Sequence, residues 1–492
     1  MRSLVSLSAS GNRSNLIQMT PEEFRQAGHE LIDWIADYRQ RIDTLPVRAQ
    51  IEPGGVKNNL PDTPPDAAEP FDQVMADLEN IVVPGITQVQ HPMHYGWFPS
   101  NASLSSVLGD IASSGLGTLG ISWESCPSLT EVEEVVCDWL RQLTGLSDQW
   151  EGCIQDTAST SIFTALLIAR EHTTEYSENR GGLQSLSSPL IVYTTEEAHS
   201  SVRKAALLAG FGADNIRSVE MTDDRAMNPS ALASTIEQDI ANGLTPCAIV
   251  ASCGSTGVTA FDPLEKIVSV ASEHDIWVHV DAAMAGTAML LPECRKLWDG
   301  VEGADSVSWN PHKWMGTILD CSLFYVSDPE HLIRVMSTNP SYLRSTVDGE
   351  VTQYRDWGIP LGRRFRSLKL WFHLRLDGPD VIRERIRRDL DNAKWFADTV
   401  AATEGWKVVS PVTLQTVCIR HEPEGLSGEA LDQHTLAWVN AINQSGNAFM
   451  SPSMLNGRWM VRVSIGVEST TRDHVAALWT LIQETTDSLL GK

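Results

Sequence analysis

Seven short runs rich in apolar residues, separated by segments long enough for helices, constrain this chain more than any other feature. They are Cys153-Ile154-Gln155, Leu190-Ile191-Val192-Tyr193, Ile216 to Val219, Ala248-Ile249-Val250-Ala251, Trp277 to Val280, Ser306-Val307-Ser308-Trp309 and Ser322-Leu323-Phe324-Tyr325-Val326. Short runs with this β-branched and aromatic content suit strands buried on both faces, and intervening helices imply crossover connections. The stretch from about Trp123 to Pro329 therefore predicts an α/β unit built on a mostly parallel, seven-stranded sheet. Ligands of such sheets gather beyond the carboxyl ends of the strands.

Four polar residues fall at that rim: His199 after one run, Thr256 after another, Asp281 after a third and Lys313 after a fourth. Lys313 stands in Asn310-Pro311-His312-Lys313-Trp314, and Asp281 closes Trp277-Val278-His279-Val280-Asp281, 32 residues upstream. An amine that forms a Schiff base with an aldehyde, and a carboxylate that keeps a pyridine nitrogen protonated, are what pyridoxal 5'-phosphate requires of a protein. A lysine is ordinarily a solvated surface charge, but the neighbours Trp309, Pro311, Trp314 and Met315 argue against that here. An unpaired carboxylate at the end of an apolar strand is costly, so Asp281 is expected to meet a cation, the competing reading being a helix N-cap. Thr157, Ala158 and Ser159 precede a helix predicted over Ser161 to Arg170, whose free amides and dipole suit a phosphate, although a plain cap has the same local pattern. His199 taken alone reads as a satisfied polar residue.

Either side of this unit the pattern changes. Thr20-Pro21-Glu22-Glu23 reads as a helix start with a capping box, and Phe24, Ala27, Leu31, Trp34, Ile35 and Tyr38 continue at helical spacing. Pro/Gly-rich chain follows, then helices near Pro70 to Asn80 and Ser103 to Ser114. Such a segment cannot bury its own apolar face and is expected to pack on a second copy of itself. The Ser/Asn-rich residues Met1 to Gln18 read as a disordered extension. Beyond Pro360 a long helical stretch, interrupted near Gly378-Pro379, leads to strand-like segments Trp406 to Val409, Thr416 to Ile419 and Trp459 to Ile465, and a last helix runs from Arg472 to Leu490. This part predicts a small α+β domain. Between them, Pro329 to Trp357 has little apolar periodicity and reads as a long loop, which in a compact domain is usually functional or disordered.

Composition excludes several classes. A formal charge of -26 with a pI near 4.8 argues against nucleic acid or an anionic membrane as partner. No run reaches the apolar length of a membrane span. The 8 cysteines carry no Cys-x-x-Cys and read as reduced core residues of a cytoplasmic protein. Gly210-x-Gly212 lacks the third glycine of a dinucleotide site. His91-Pro92-Met93-His94, and His274 with His279, lack a cysteine or carboxylate that would complete a metal site, so no metal is expected.

Five motifs carry a resemblance: Asp156-Thr157-Ala158-Ser159, Ala198-His199-Ser200-Ser201-Val202, His279-Val280-Asp281-Ala282-Ala283-Met284-Ala285-Gly286, Asn310-Pro311-His312-Lys313-Trp314 and Pro360-Leu361-Gly362-Arg363-Arg364-Phe365-Arg366. From Thr20 to its end the chain resembles the pyridoxal-phosphate-dependent group II amino-acid decarboxylases of the aromatic L-amino-acid decarboxylase family, and is most like bacterial DOPA decarboxylases. The resemblance implies the aspartate-aminotransferase-like fold, fold type I, and a homodimer joined through the N-terminal helices with active sites at the subunit interface. It divides the chain into an extension (1–19), a helical dimerisation segment (20–122), a large cofactor-binding domain (123–359) with a mobile catalytic loop (329–357), and a small C-terminal domain (360–492).

The resemblance also implies roles. Lys313 is the Schiff-base lysine and Asp281 the partner of the pyridine nitrogen. His199 stacks on the cofactor ring near the substrate carboxylate, and His312 faces substrate. Thr157, Ala158, Ser159 and Asn310 belong at the phosphate, with Thr256 and Ala283 near the ring. Tyr342 donates a proton to the α-carbon after carbon dioxide leaves; relatives with phenylalanine there tend to be oxygen-consuming aldehyde synthases. Trp97, Phe98, Pro99 and Ser100 of one subunit face Leu119 and Ile121 of the other around the substrate side chain. Gly362 stands where relatives acting on catechol or indole substrates keep glycine. Together these imply decarboxylation of L-DOPA, or else of 5-hydroxytryptophan or tryptophan, to the amine. Val89 and Ile121 depart from the family toward aliphatic residues. Histidine decarboxylase, aminotransferase and oxidative aldehyde synthase chemistry use the same cofactor machinery. A non-catalytic homologue would be expected to have lost Lys313 or Asp281, and both are present.

Overall fold

The computed structural model describes residues 19–338 and 349–491. These fall into two compact units, one comprising residues up to Leu45 with Ala49–Ile86, the other Pro46–Arg48 with Thr87 onward. The sequence places a boundary near residue 122, whereas the structure puts it at Ile86. The reason is local pairing: His94 and Tyr95 add a strand to the C-terminal sheet, and the helix at Leu104–Leu116 packs against Ser367–Leu376.

In the first unit, α1 (Pro21–Gln40) starts at Thr20, whose hydroxyl accepts the Glu23 amide while the Glu23 carboxylate accepts the Thr20 amide. This is the capping box read from the sequence. Among the described residues, none of this helix is buried. Glu79, beyond α2 (Phe71–Asp77), accepts hydrogen bonds from Trp34 and Arg41.

The second unit begins with β1 (His94–Tyr95), α3 (Leu104–Leu116) and α4 (Pro127–Thr144). It continues with β2 (Glu151–Gln155), α5 (Ala158–Thr173), β3 (Leu190–Thr194), α6 (Ser200–Leu208), β4 (Ile216–Ser218), α7 (Pro229–Ala241), β5 (Thr245–Ser252) and α8 (Leu264–Ser272). Then come β6 (Trp277–Asp281), β7 (Ser306–Trp309), β8 (Ser322–Val326) and α9 (Pro329–Met336). The seven strands form one sheet in the order β2-β8-β7-β6-β5-β3-β4. All seven apolar runs are its strands. Only β8 runs against its neighbours, so β2, β3, β5, β6 and β7 present their carboxyl ends at one rim. Val192, Ile249, Val250, Val280 and Val307 have no exposed surface, which is why these strands read as unbroken apolar runs.

The chain closes with α10 (Ser367–Leu376), α11 (Pro379–Ala401), β9 (Trp406–Val408), β10 (Thr416–His421), α12 (Gly428–Ser445), β11 (Phe449–Leu455), β12 (Arg458–Ser464) and α13 (Arg472–Leu489). A second sheet runs β1-β11-β12-β10-β9. The sequence does not reveal β11, because Ser451, Pro452 and Ser453 interrupt its apolar character.

The stretch expected as a loop from Pro329 is a correction. Its first part is α9: Asp328 caps it by accepting the Glu330 amide, Pro329 opens it, and Leu332 is fully buried in an apolar cluster shared with α5, on which α9 packs. An Asp-Pro-Glu start is a helix signal. Tyr342 lies outside the described residues.

Candidate active site

The strand rim holds a cavity of about 250 Å³, lined by Thr157, Ala158, Ser159, His199, Thr256, Asp281, Ala283, Asn310, His312, Lys313 and Phe98. Residues from six chain segments thus meet as the strand positions required. Asp281 is the last residue of β6 and is nearly buried; its Oδ1 accepts the Ala283 amide at 3.0 Å. The Asn310 amide donates to Ala283 O at 2.8 Å, which ties the end of β7 to the loop after Asp281.

Lys313 lies in a wide turn, Pro311–Met315, and its φ/ψ of -98° and -113° depart from a helix. Its Nζ is 5.5 Å from the Phe98 ring centre. Burial pushes its amine below the ordinary lysine range, the Asp281 carboxylate opposes that shift and the Arg462 guanidinium adds to it. A depressed lysine has more of the neutral amine that attacks a carbonyl.

His199 caps α6: its Nδ1 accepts the Ser201 amide at 3.2 Å and lies 2.6 Å from Ser201 Oγ. In a neutral ring that acceptor role puts the proton on Nε2. Burial lowers its pKa, Asp281 raising it and Lys313 lowering it. His312 is buried; burial and then Lys313 push it down to about 4, and its Nδ1 accepts the Cys321 amide at 3.0 Å. Both rings are neutral donors at neutral pH.

One end of the cavity suits an anion. Thr157 caps α5 with no side-chain bond to the first turn, so the amides at Ala158 and Ser159 face the cavity without a capping oxygen. Asn310 is buried and its Oδ1 has no hydrogen-bond partner. Gly254, at φ +88°, borders the same space, and a Cβ there would stand 2.4 Å from Ala285 Cβ, so this turn accepts only glycine. Amine, carboxylate and helix N-terminus suit an aldehyde-bearing pyridine phosphate.

The remaining expected residues do not line this cavity. Trp97 is 53% exposed at φ +52°, with its amide donated to Ser451 Oγ at 2.7 Å. Pro99 packs on Gly466, and Ser100 O accepts Gln90 Nε2 at 2.5 Å. Leu119, Ile121 and Gly362 gather around a separate bridge in which Gly120 and Arg363 exchange backbone bonds of 3.2 and 3.0 Å.

Sequence reasoning missed Ser201, Ser252, Gly254, Ser255 and Met284 in the lining, and Arg462. Arg462, on β12, is buried with its Cζ 5.0 Å from the Phe98 ring centre, so one aromatic ring meets two cations. A signal existed: a charged residue inside the apolar run Trp459 to Ile465 is rarely buried without a partner or a role.

Residues 53–422 match the family model of the pyridoxal-dependent decarboxylase conserved domain. The chain is 38% identical to phenylacetaldehyde synthase of Arabidopsis thaliana, over 98% of this chain and 99% of that protein. It is 36% identical to tryptophan decarboxylase 2 of Oryza sativa subsp. japonica, over 98% of each. Among solved structures, Oryza sativa TDC with PLP and tryptamine superposes with a TM-score of 0.93 at 34% identity, covering 96% of this chain and 99% of that one. Catharanthus roseus tryptophan decarboxylase in complex with L-tryptophan gives 0.90 at 36% identity, with 96% and 99% covered. Motif, cavity and kinship coincide: the chain is a fold type I enzyme belonging to the pyridoxal-phosphate-dependent amino-acid decarboxylase family.

Proposed function

We propose that this enzyme decarboxylates an aromatic L-amino acid, L-DOPA foremost, to the amine and carbon dioxide. The observation that carries it is the meeting of the Lys313 amine and the Asp281 carboxylate in one cavity beside an aromatic ring, Phe98. Bound pyridoxal phosphate supplies an electron sink for the bond that releases carbon dioxide. Lys313 would hold the aldehyde end, Asp281 would keep the ring nitrogen protonated, and the α5 N-terminus with Asn310 would take the phosphate. His199 would stack on the ring and offer Nε2–H to the substrate carboxylate, His312 would face the substrate, and Thr256 and Ala283 would bound the ring. Tyr342 returns a proton to the α-carbon.

Phe98 and Trp97 suit an aromatic side chain, Ser100 a phenolic hydroxyl, and Gly362 leaves room for a catechol or an indole. Relatives named for tryptophan and tyrosine decarboxylation support the aromatic class. Leu119 and Ile121 complete the pocket from a second subunit. Exposed Phe24 on α1, at 66%, and exposed Leu104, Leu108 and Ile111 on α3 support the reading of a homodimer. All eight cysteines are free, which suits the cytoplasm.

The aldehyde synthase among the relatives favours one alternative outcome, oxidative release of an aldehyde. The test is incubation with pyridoxal phosphate and L-DOPA, 5-hydroxytryptophan, tryptophan, tyrosine, phenylalanine or histidine, separately, with amine, aldehyde, ammonia and peroxide quantified. Amine without peroxide from aromatic substrates supports the proposal, and aldehyde with peroxide favours the alternative. No product from any aromatic substrate, or full turnover by Lys313→Ala, overturns it.

A further inference from the structure

Lys313 reaches the cavity from a turn that cannot hold itself. Its amide bonds Asn310 O at 3.0 Å, and the amides of Gly316 and Thr317 both return to Pro311 O, at 3.1 and 3.0 Å. The turn ends at Met315, so the carbonyls of Trp314 and Met315 have no following helical turn to donate to them. Arg385 on α11 fills that gap. Its Nη2 donates to Trp314 O at 2.8 Å and also to Met315 O.

One turn further along α11, Asp389 has no exposed side-chain surface, and its Oδ2 accepts the Trp314 indole N–H at 2.9 Å. Arg388 holds the other oxygen, Nη2 to Oδ1 at 2.9 Å, and is itself tied to Glu468 O at 3.0 Å. Gly316 sits at φ +104°, and a Cβ there would lie 3.1 Å from Arg385 Nη2. The turn bearing the lysine is therefore gripped from behind at two carbonyls and one indole, by residues that do not line the cavity.

We propose that Arg385 and Asp389 are positioning residues that fix where the Lys313 amine stands relative to Asp281 and the α5 N-terminus. Their action is geometric. The charged groups that bear on the Lys313 amine are Asp281 and Arg462. Losing the grip lets the turn drift, and a displacement of about 1 Å at a reacting group costs about 100-fold in rate. Both bonds come from one nitrogen, Nη2, so a lysine ammonium, with three donors on one nitrogen, can stand in for it.

The inference rests on Lys313 being the lysine that binds pyridoxal phosphate, so one control separates the two. Borohydride reduction of the wild-type holoenzyme followed by peptide mapping must label Lys313. A label elsewhere, or none, defeats that assignment whatever Arg385 does. With Lys313 labelled, three variants are compared: Arg385→Met, Arg385→Lys and Gly316→Ala, which disturbs the same contact while leaving the arginine in place. For each, the melting temperature of the cofactor-free protein, the pyridoxal phosphate dissociation constant from absorbance titration, and kcat and KM are measured.

The expected result is a loss of about tenfold to 100-fold in kcat and in cofactor affinity for Arg385→Met, with amino-acid KM within about twofold. Arg385→Lys should recover most of it, and Gly316→Ala should reproduce the loss. Should Arg385→Met fail to fold, Arg385→Gln, read by the same measurements, decides the matter. Unchanged cofactor affinity and kcat alongside a lowered melting temperature would assign α11 a purely structural part and overturn the proposal.

Discussion

The Asp262 carboxylate accepts the backbone amide of Ser252 at 2.7 Å, and Ser252 lies opposite Asp281 in the register of β5 and β6. Its other oxygen accepts the Met227 amide, also at 2.7 Å. A buried acid thus fixes the end of β5 beside Asp281, ahead of the turn that carries Thr256. Asp262→Ala orphans two buried donors, each costing about 1–3 kcal/mol. Thermal melts of the cofactor-free protein should show the lower stability, and absorbance titration should show weaker pyridoxal phosphate binding.

Arg462 is one of the two causes that depress the Lys313 amine, after burial and against Asp281. Arg462→Met removes a nearby positive charge, so the amine should titrate at higher pH. The pH dependence of pyridoxal phosphate capture by the cofactor-free protein should move upward by about one unit or less. Arg462→Lys keeps the charge and should leave the profile near that of the wild type.

Glu133 and Arg363 form a pair with both side chains almost wholly buried, Nη2 to Oε1 at 2.5 Å and Nη1 to Oε2 at 3.0 Å. Both also hold Ile154 of β2, through its amide at 2.8 Å and its carbonyl at 2.8 Å. Removing one partner strands a buried charge, so Arg363→Met should cost about 3–5 kcal/mol in chemical unfolding. Glu133→Gln combined with Arg363→Met should cost less than the two singly added.

Acid should destabilise the fold through buried neutral histidines. Burial pushes His279, which bonds Ser306 Oγ at 2.9 Å, from 6.5 down to about 3. Between those values the unfolded chain binds a proton that the folded chain refuses. Stability is then complete above 6.5 and falls with pH toward about 3, by roughly 1.4 kcal/mol per unit for this group. Asp262, pushed up to about 6 from 3.8, has the opposite sign and gains stability as pH falls through that window. Urea midpoints between about pH 7 and about pH 5 should therefore fall less steeply for His279→Gln than for the wild type.

Sequence alone determined the large sheet and the chemistry at its rim. Strands buried on both faces must be apolar throughout, so the period of the fold was written into seven local runs. Lys313 and Asp281 stood out because each is costly amid apolar neighbours. Elements whose identity depends on partners were not legible. Phe449–Leu455 is a strand because β12 lies alongside it, although Ser451, Pro452 and Ser453 break its pattern. The helix at Pro329–Met336 depends on burying Leu332 where α9 packs on α5, far away in sequence. Only the tertiary structure decided that Arg462 stands over Phe98, from 364 residues away, or that Arg385 and Asp389 grip the Lys313 turn. Those contacts join segments with no sequence relation, and spacing along a chain carries no information about which distant side chain fills an orphaned carbonyl.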